Sequence, residues 1–435
     1  MDFEADHDLP FARCALNAIV RHGDADRQLA SAWKVWSLIR KYSSALSLPP
    51  RRHRDTASSL AVRFQRRYES EEQALAFQGN VDSEHPSLAK PPERKSGRSH
   101  VEALDGLRGI AAIAVMLGHA NVGNSHSFLA VDFFFCLSGF VIGMAYENRL
   151  RQGLGVRRYM VWRWLRVYPM LLLGLLFGLL LWRLNPEAAE LASFAQAAFA
   201  MSAITHAGFI PFFGQSVAFP LNNVQWSILY ELLANLIHAL LVKILSNRLL
   251  FILIALSGAH LAIRALMVGS LNWGFDTRNI DIAVVRTLFS FFTGLALFRF
   301  RERIVSIMPR IGFWWLALAL LLPASVHSIE RPFAWLEPMR QLVTVMAFNP
   351  IIIALALNSG GKGMIVRWLG ALSFPLYAVH LPLVYGAYTI LSATYSGFML
   401  KGVMLLACGP VVVLALLLGL YVDLPLNRLR RRIFE

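Results

Sequence analysis

Residues 104–120 read LDGLRGIAAIAVMLGHA, an apolar run that carries Arg108 and His119 with ten residues between them. On an α-helix the eleven steps from one to the other leave the side chains about 20° apart in azimuth and roughly 16 Å apart in height. Both therefore lie on one stripe of what reads as the first membrane span. Ionisable groups at membrane depth are costly, and those that occur are commonly functional. A histidine there exchanges protons near neutral pH. An arginine half a membrane away can hold an anion.

The remaining chain supports a membrane setting. It has 435 residues, 56% hydrophobic and 16% charged, with a mean hydropathy of +0.50. A soluble domain carries about 25% charged residues. The deficit falls after residue 100, so the expected fold class is all-α, a polytopic transmembrane helical bundle behind a polar N-terminal extension. The apolar runs predict ten spans, at 107–123, 128–146, 167–184, 224–243, 249–268, 282–298, 312–326, 341–357, 371–391 and 399–421. A further apolar stretch at 194–213 is expected to be a re-entrant or outward-facing helix, because an eleventh span would break the charge pattern.

That pattern sets orientation. Arg149, Arg151, Arg157, Arg158, Arg163, Arg166, Lys243, Arg248, Arg299, Arg301, Arg303, Arg310, Lys362, Arg367 and the closing LNRLRRRIFE fall on one side of the ten spans. The opposite loops hold Arg278, Arg331 and Arg340, with Lys401 near a span end. Excess Lys and Arg mark the cytoplasmic face, which predicts both termini in the cytoplasm. The net charge of +15 is thus spent on orientation, and no nucleic-acid module surrounds it.

Residues 1–100 form a separate unit in this reading. Leu29, Trp33, Trp36, Ile39 and Tyr42 recur at helical spacing, which fits an interfacial helix on anionic lipid or a soluble helix. Asp55–His100 is rich in Arg, Glu, Ser and Pro and reads as a disordered linker, and residues 101–435 form the transmembrane domain. The acidic start MDFEADHDLP lacks the apolar core of a cleavable signal peptide. Cys14, Cys136 and Cys408 make neither a CxxC pair nor a Cys/His cluster, so no disulfide framework and no metal site is expected.

Other polar groups fall at comparable depth. Glu231 lies about two turns into the fourth span, and His380 sits near the middle of the ninth. Asp132 opens the second span, where Ser138 and Gly139 in LSGF can let helices approach closely. Arg163 and Arg166, in RRYMVWRWLRVYP, project from one helical face and suit a phosphorylated ligand at the cytoplasmic side. His238 and His260, near span ends, read as structural or interfacial groups. NSGGKG at 358–363 lacks the full phosphate-loop pattern and reads as a turn.

Taken in order, these segments resemble the membrane acyltransferase 3 family, which includes enzymes that O-acetylate bacterial surface polysaccharides. LDGLRGIAAIAVMLGHA carries the Arg-x10-His pair, and VDFFFCLSGFVI is similar to the family's aromatic-rich SGF segment. RWLRVYP matches its Arg-x-x-Arg-Ile-x-Pro element, with Val167 for Ile. WSILYE, with Trp226 and Glu231, resembles its W-S-L-S-x-E segment, Leu229 replacing the second Ser. LSFPLYAVHLPL places His380 in its Ser-Tyr-Pro-Leu-Tyr-x-x-His element, with Phe374 for Tyr, and Asp423 and Pro425 resemble its acidic-x-Pro ending. The resemblance runs from about Leu104 to Pro425.

The resemblance implies an integral protein of a bacterial inner membrane. It also implies transfer of an acyl group, usually acetyl from acetyl-CoA, to a carbohydrate hydroxyl. Acyl-CoA is then a co-substrate, and no permanently bound cofactor is expected. His119 would be essential, as general base or as transient acyl acceptor. Arg108, Arg163 and Arg166 would handle the donor, with Glu231 or His380 orienting His119 or relaying its proton. Asp132, Ser138, Gly139 and Trp226 would be structural or substrate-binding. A transporter using the same intramembrane polar groups is the alternative expectation.

Overall fold

A computed structural model describes residues 96–434, apart from residue 124 and the segments 186–218, 275–279 and 326–334. The expected interfacial helix and the apolar stretch at 194–213 lie outside the described residues. Among the described residues there are helices and no strands.

A helix occupies each of the ten expected positions. These are α1 Ser96–His119, α2 His126–Arg151, α3 Val156–Leu180, α4 Gln225–Leu241 and α5 Asn247–Val268. They continue with α6 Ile280–Arg299, α7 Phe313–Ser325, α8 Leu336–Ala356, α9 Met364–Ser392 and α10 Gly397–Arg430. Seven of them (α2, α3, α5, α6, α8, α9 and α10) are long and apolar enough to cross a membrane. The other three depart from that standard for visible reasons. α4 has 17 residues, α7 has 13, and α1 carries Glu102, Asp105 and Arg108.

Two boundaries differ from the apolar runs. α1 starts at Ser96, in the last residues of the stretch read as linker, and ends at His119 rather than at residue 123. α3 starts at Val156, so the arginine-rich segment is itself helical instead of preceding the helix. Hydropathy marks the part of a helix that lies in an apolar medium. It does not mark the polar turns that extend the same helix into water.

The bundle exposes large apolar side chains on its outside. Leu406 is 76% exposed, Met267 72% and Trp315 70%. Such a surface suits lipid and would be a liability in water. With the apolar spans, it makes the chain an integral membrane protein.

Inside, α9 packs along α1, α3 and α10, and α2 packs along α6. α9 contains Pro375 and Pro382. A proline lacks the N–H that would bond the carbonyl four residues earlier. For Pro382 that carbonyl belongs to Ala378, and Asn222 Nδ2 donates to it at 2.8 Å. α2 and α6 meet through glycines: a Cβ on Gly139 would collide with the Phe291 carbonyl, and one on Gly294 with the Cys136 carbonyl. The close approach expected of Gly139 is thus real.

One ion pair joins the same two helices. Arg286 donates to Asp132 through Nε at 3.1 Å and through a terminal nitrogen at 2.5 Å. The other terminal nitrogen donates to the Leu271 and Trp273 carbonyls at 2.6 and 2.8 Å. The side chains are 1% and 0% exposed. Removing one partner strands a buried charge. Arg286→Ala should therefore destabilise the full chain by about 3–5 kcal/mol, read as a lower thermal unfolding midpoint in detergent. The double change Asp132→Leu with Arg286→Met should lose less than Arg286→Ala alone. Equal losses would show that the pair does not hold α2 to α6.

Candidate active site

Five helices bring the polar side chains of the bundle to a cleft enclosing about 850 Å³, its open mouth included. Its polar lining comes from Arg108 of α1, Ser138 of α2, Arg163 and Arg166 of α3, Ser227 and Glu231 of α4, and Ser373 and Tyr377 of α9. The three arginines expected from two distant motifs are therefore assembled in one place. Helical periodicity accounts for the local part, since Arg163 and Arg166 are one turn apart.

Each arginine has a carboxylate. Arg108 meets Asp105 at 2.9 Å, Arg163 meets Glu231 at 2.8 Å, and Arg166 meets Asp423 at 2.6 Å. Arg108 Nε also donates to Ser373 Oγ at 2.9 Å. Ser138 Oγ donates to the same Glu231 oxygen as Arg163, at 2.7 Å. The formal charge of these three pairs is close to balanced. What the cleft offers an anion is therefore directed N–H groups rather than a large net field. A guanidinium has five such donors. Arg163 Nε is buried without a hydrogen-bond partner. The Arg166 guanidinium lies over the Phe374 ring, 5.0 Å from its centre, within cation–π range.

His119 and His380 stand beyond the lining of this cleft. His119 Nδ1 and His380 Nε2 are 3.0 Å apart. His380 Nδ1 lies 2.9 Å from the Leu376 carbonyl and 3.1 Å from that of Tyr377. Carbonyls only accept, so for the neutral pair the proton of His380 sits on Nδ1. Its Nε2 then accepts, and the donor is the Nδ1–H of His119. This assigns a lone pair to His119 Nε2.

Aromatic rings connect the cleft to this pair. Phe134 and Tyr377 both line the cleft and meet edge to face, with centres 5.2 Å apart. Tyr377 is 6.0 Å from His380, His380 is 5.2 Å from His119, and His119 is 6.1 Å from Tyr385. The Tyr377 hydroxyl is 2.5 Å from Ser227 Oγ. Ser227 already donates to the Val224 carbonyl at 2.9 Å, so Tyr377 is the donor between them.

The remaining expected residues divide. Ser138 lines the cleft, whereas Asp132 and Trp226 stand outside its lining. Asp132 is held by Arg286, and Trp226 packs against Phe135 and Tyr230. His238 is fully buried beside Phe291, and His260 lies 3.6 Å from Asp281. No group of three His, Cys, Asp or Glu side chains among the described residues could hold a metal ion.

Three residues have no role in the sequence reading. Ser373 and Tyr377 are the Ser and the second Tyr of the Ser-Tyr-Pro-Leu-Tyr-x-x-His element, seven and three residues before His380 on one face of α9. Arg286 sits within IDIAVVRTLFSFF, and the rule that singles out Arg108 applies to it equally.

Comparison with known proteins agrees with the motifs. Protein 2 in the picA locus of Rhizobium radiobacter is 39% identical over 90 residues, which are 20% of this chain. The match spans 44% of that relative's own length. No solved structure matches. The acyltransferase 3 family model, described as an acyltransferase domain, matches residues 101–422. On that span, which includes α1 through most of α10, the chain belongs to the acyltransferase 3 family of membrane proteins.

Proposed function

We propose that this protein is a membrane-embedded O-acyltransferase. It moves an acyl group, acetyl in the simplest case, from cytoplasmic acyl-CoA to a hydroxyl of a cell-surface or lipid-linked carbohydrate. The setting is a bacterial inner membrane, crossed ten times, with both termini in the cytoplasm. The order of contacts favours that topology. Arg108 meets Ser373, and further along both helices His119 meets His380. α1 and α9 therefore run in the same direction, as the first and ninth of alternating spans must.

The single observation that carries the chemistry is the oriented histidine pair. The Nδ1 positions are committed to the His380 ring and to a carbonyl, which leaves His119 Nε2 as the basic nitrogen. His119 Nε2 takes the proton of the acceptor hydroxyl while the hydroxyl oxygen attacks the thioester carbon. The carbon–sulfur bond breaks, the ester bond forms, and the proton passes to the CoA sulfur. The same nitrogen would be acylated in a two-step transfer. His380 is a positioning residue: it sets the tautomer of His119 and steadies the imidazolium.

The cleft supplies the donor end. The unused N–H groups of Arg108, Arg163 and Arg166 bind CoA phosphates, and Tyr377 marks the way from the cleft to His380. Glu231 holds Arg163 in position and leaves its Nε–H for the phosphate.

His119→Ala should abolish O-acylation of surface carbohydrate in complemented cells, with unchanged protein in the membrane fraction. Normal acylation by that variant would remove His119 from the reaction. Acyl-CoA consumption by the purified chain separates this reading from transport, which moves solute without a covalent product. His380→Gln keeps an acceptor for the His119 N–H and His380→Phe does not. The Phe variant should lose about 10–100-fold in kcat with little change in KM for acetyl-CoA, and the Gln variant should lose less. Equal losses would leave His380 with only a packing role. Arg163→Gln should raise KM for acetyl-CoA at least about tenfold, the loss of one charge-assisted hydrogen bond. An unchanged KM would place the phosphates elsewhere.

A further inference from the structure

A second cavity lies at the other end of α9 from the arginine cleft. It encloses about 740 Å³, its mouth included. α9 gives Ser373, Phe374 and Tyr377 to the cleft, and Tyr388 and Ser392 to this cavity, with His380 between the two sets. Eleven steps lead from Tyr377 to Tyr388, roughly 16 Å of helix. The wall of the cavity includes Ala120, the residue that follows His119, and Asn121. Asn121 has φ of 55°, among the described residues the one non-glycine in the left-handed region. That turn ends α1 beside the histidine and directs the Asn121 position into the cavity wall. Tyr385, one turn before Tyr388 on α9, stands edge-on to the His119 ring.

The chemistry of the lining is distinct from that of the cleft. It combines the amide of Asn121, the hydroxyls of Tyr388, Tyr395, Ser392 and Ser396, and the ammonium of Lys401. No Asp or Glu is among its described lining residues. Hydroxyls and an amide both donate and accept, which suits a polyol whose groups do the same. Tyrosine rings add flat apolar faces with a polar tip. The lysine supplies one positive charge, and no carboxylate stands among the described lining residues to balance it, unlike each arginine of the cleft.

We propose that this cavity is the acceptor site, and that the acceptor is a sugar hydroxyl on a molecule that also carries a negative charge. The assignment rests on the acyltransferase reading above and deepens it. Donor and acceptor enter from opposite ends of α9 and meet at His119. The sugar hydroxyl loses its proton to His119 Nε2, its oxygen takes the acyl carbon, and CoA leaves as the thiol toward the arginine cleft. An anionic acceptor is either a lipid-linked sugar phosphate or an acidic polysaccharide, and the shared chemistry is an anion held by Lys401 near the reacting hydroxyl.

Cysteine modification in intact cells tests this. Cys136 and Cys408 are buried, so Ser392→Cys in a Cys14→Ser background presents an exposed thiol at the cavity. A membrane-impermeant maleimide–polyethylene glycol is applied, and incorporation of labelled acetate into surface carbohydrate is followed. Modification should cut incorporation at least tenfold relative to the same variant unmodified, while radiolabelled acetyl-CoA binds isolated membranes with unchanged Kd. Unaltered incorporation after complete modification, or failure of the reagent to reach the thiol, overturns the assignment. Lys401→Glu should incorporate at least tenfold less than Lys401→Arg, and equal incorporation overturns the charge. Labelled acyl groups in the solvent-extractable fraction identify a lipid-linked sugar phosphate, and in the polymer fraction an acidic polysaccharide. Recovery on an uncharged sugar also overturns the charge. The two levels fail separately. If His119→Ala and wild-type cells incorporate equally, the acyltransferase reading falls. If they differ while modified Ser392→Cys is unaffected, the cavity assignment falls alone.

Discussion

Polar groups inside an apolar bundle must find partners within the protein, because neither lipid nor packed side chains will hydrate them. That constraint decides which helices of this protein meet. Arg286 and Asp132 join α6 to α2. Arg163 and Glu231 join α3 to α4. Arg166 and Asp423 join α3 to α10, and Arg108 and Ser373 join α1 to α9. Apolar packing alone distinguishes poorly between one lipid-facing helix surface and another. A misplaced helix would leave a charge unpaired. Three of these four contacts involve the arginines of the cleft, so the side chains proposed to bind the donor also help specify the assembly.

The parts legible in the sequence were those written in one helix at a time. Ten apolar runs found ten helices, because each run is a local property of about 20 residues. Arg108 and His119 could be placed on one stripe by periodicity, and Arg163 and Arg166 on another. What could not be read was pairing across helices. The Arg163–Glu231 contact spans 68 positions and the Arg166–Asp423 contact 257. No spacing rule reaches so far. The sequence accordingly shows the arginines as hydrogen-bond donors that suit an anion and does not show the carboxylate that each one meets. Arg286 falls under the same sequence rule as Arg108, but its partners, Asp132 and the Leu271 and Trp273 carbonyls, appear only in the structure.

That sharing changes how an anion would bind. Three unpaired guanidiniums at the edge of a bundle would carry a large desolvation cost and would repel one another. Carboxylates remove the repulsion and fix the guanidinium planes. In the proposed donor role, phosphate would take the N–H groups that the carboxylates leave unused, Arg163 Nε among them. Affinity would then come from fixed N–H directions instead of a long-range field, and would fall less steeply with salt than a field would.

The histidine pair shows the same economy on a smaller scale. In helix α9 the Leu376 and Tyr377 carbonyls lie beside the His380 ring and fix its proton on Nδ1. That choice fixes the His119 tautomer through one further hydrogen bond, without any charged group in contact. A carboxylate in the place of His380 would hold the imidazolium more tightly and would itself need a counter-charge at membrane depth. A neutral imidazole anchored to its own helix backbone needs none. The lone pair on His119 Nε2 is therefore set by neutral groups alone, a second imidazole and the backbone of its helix.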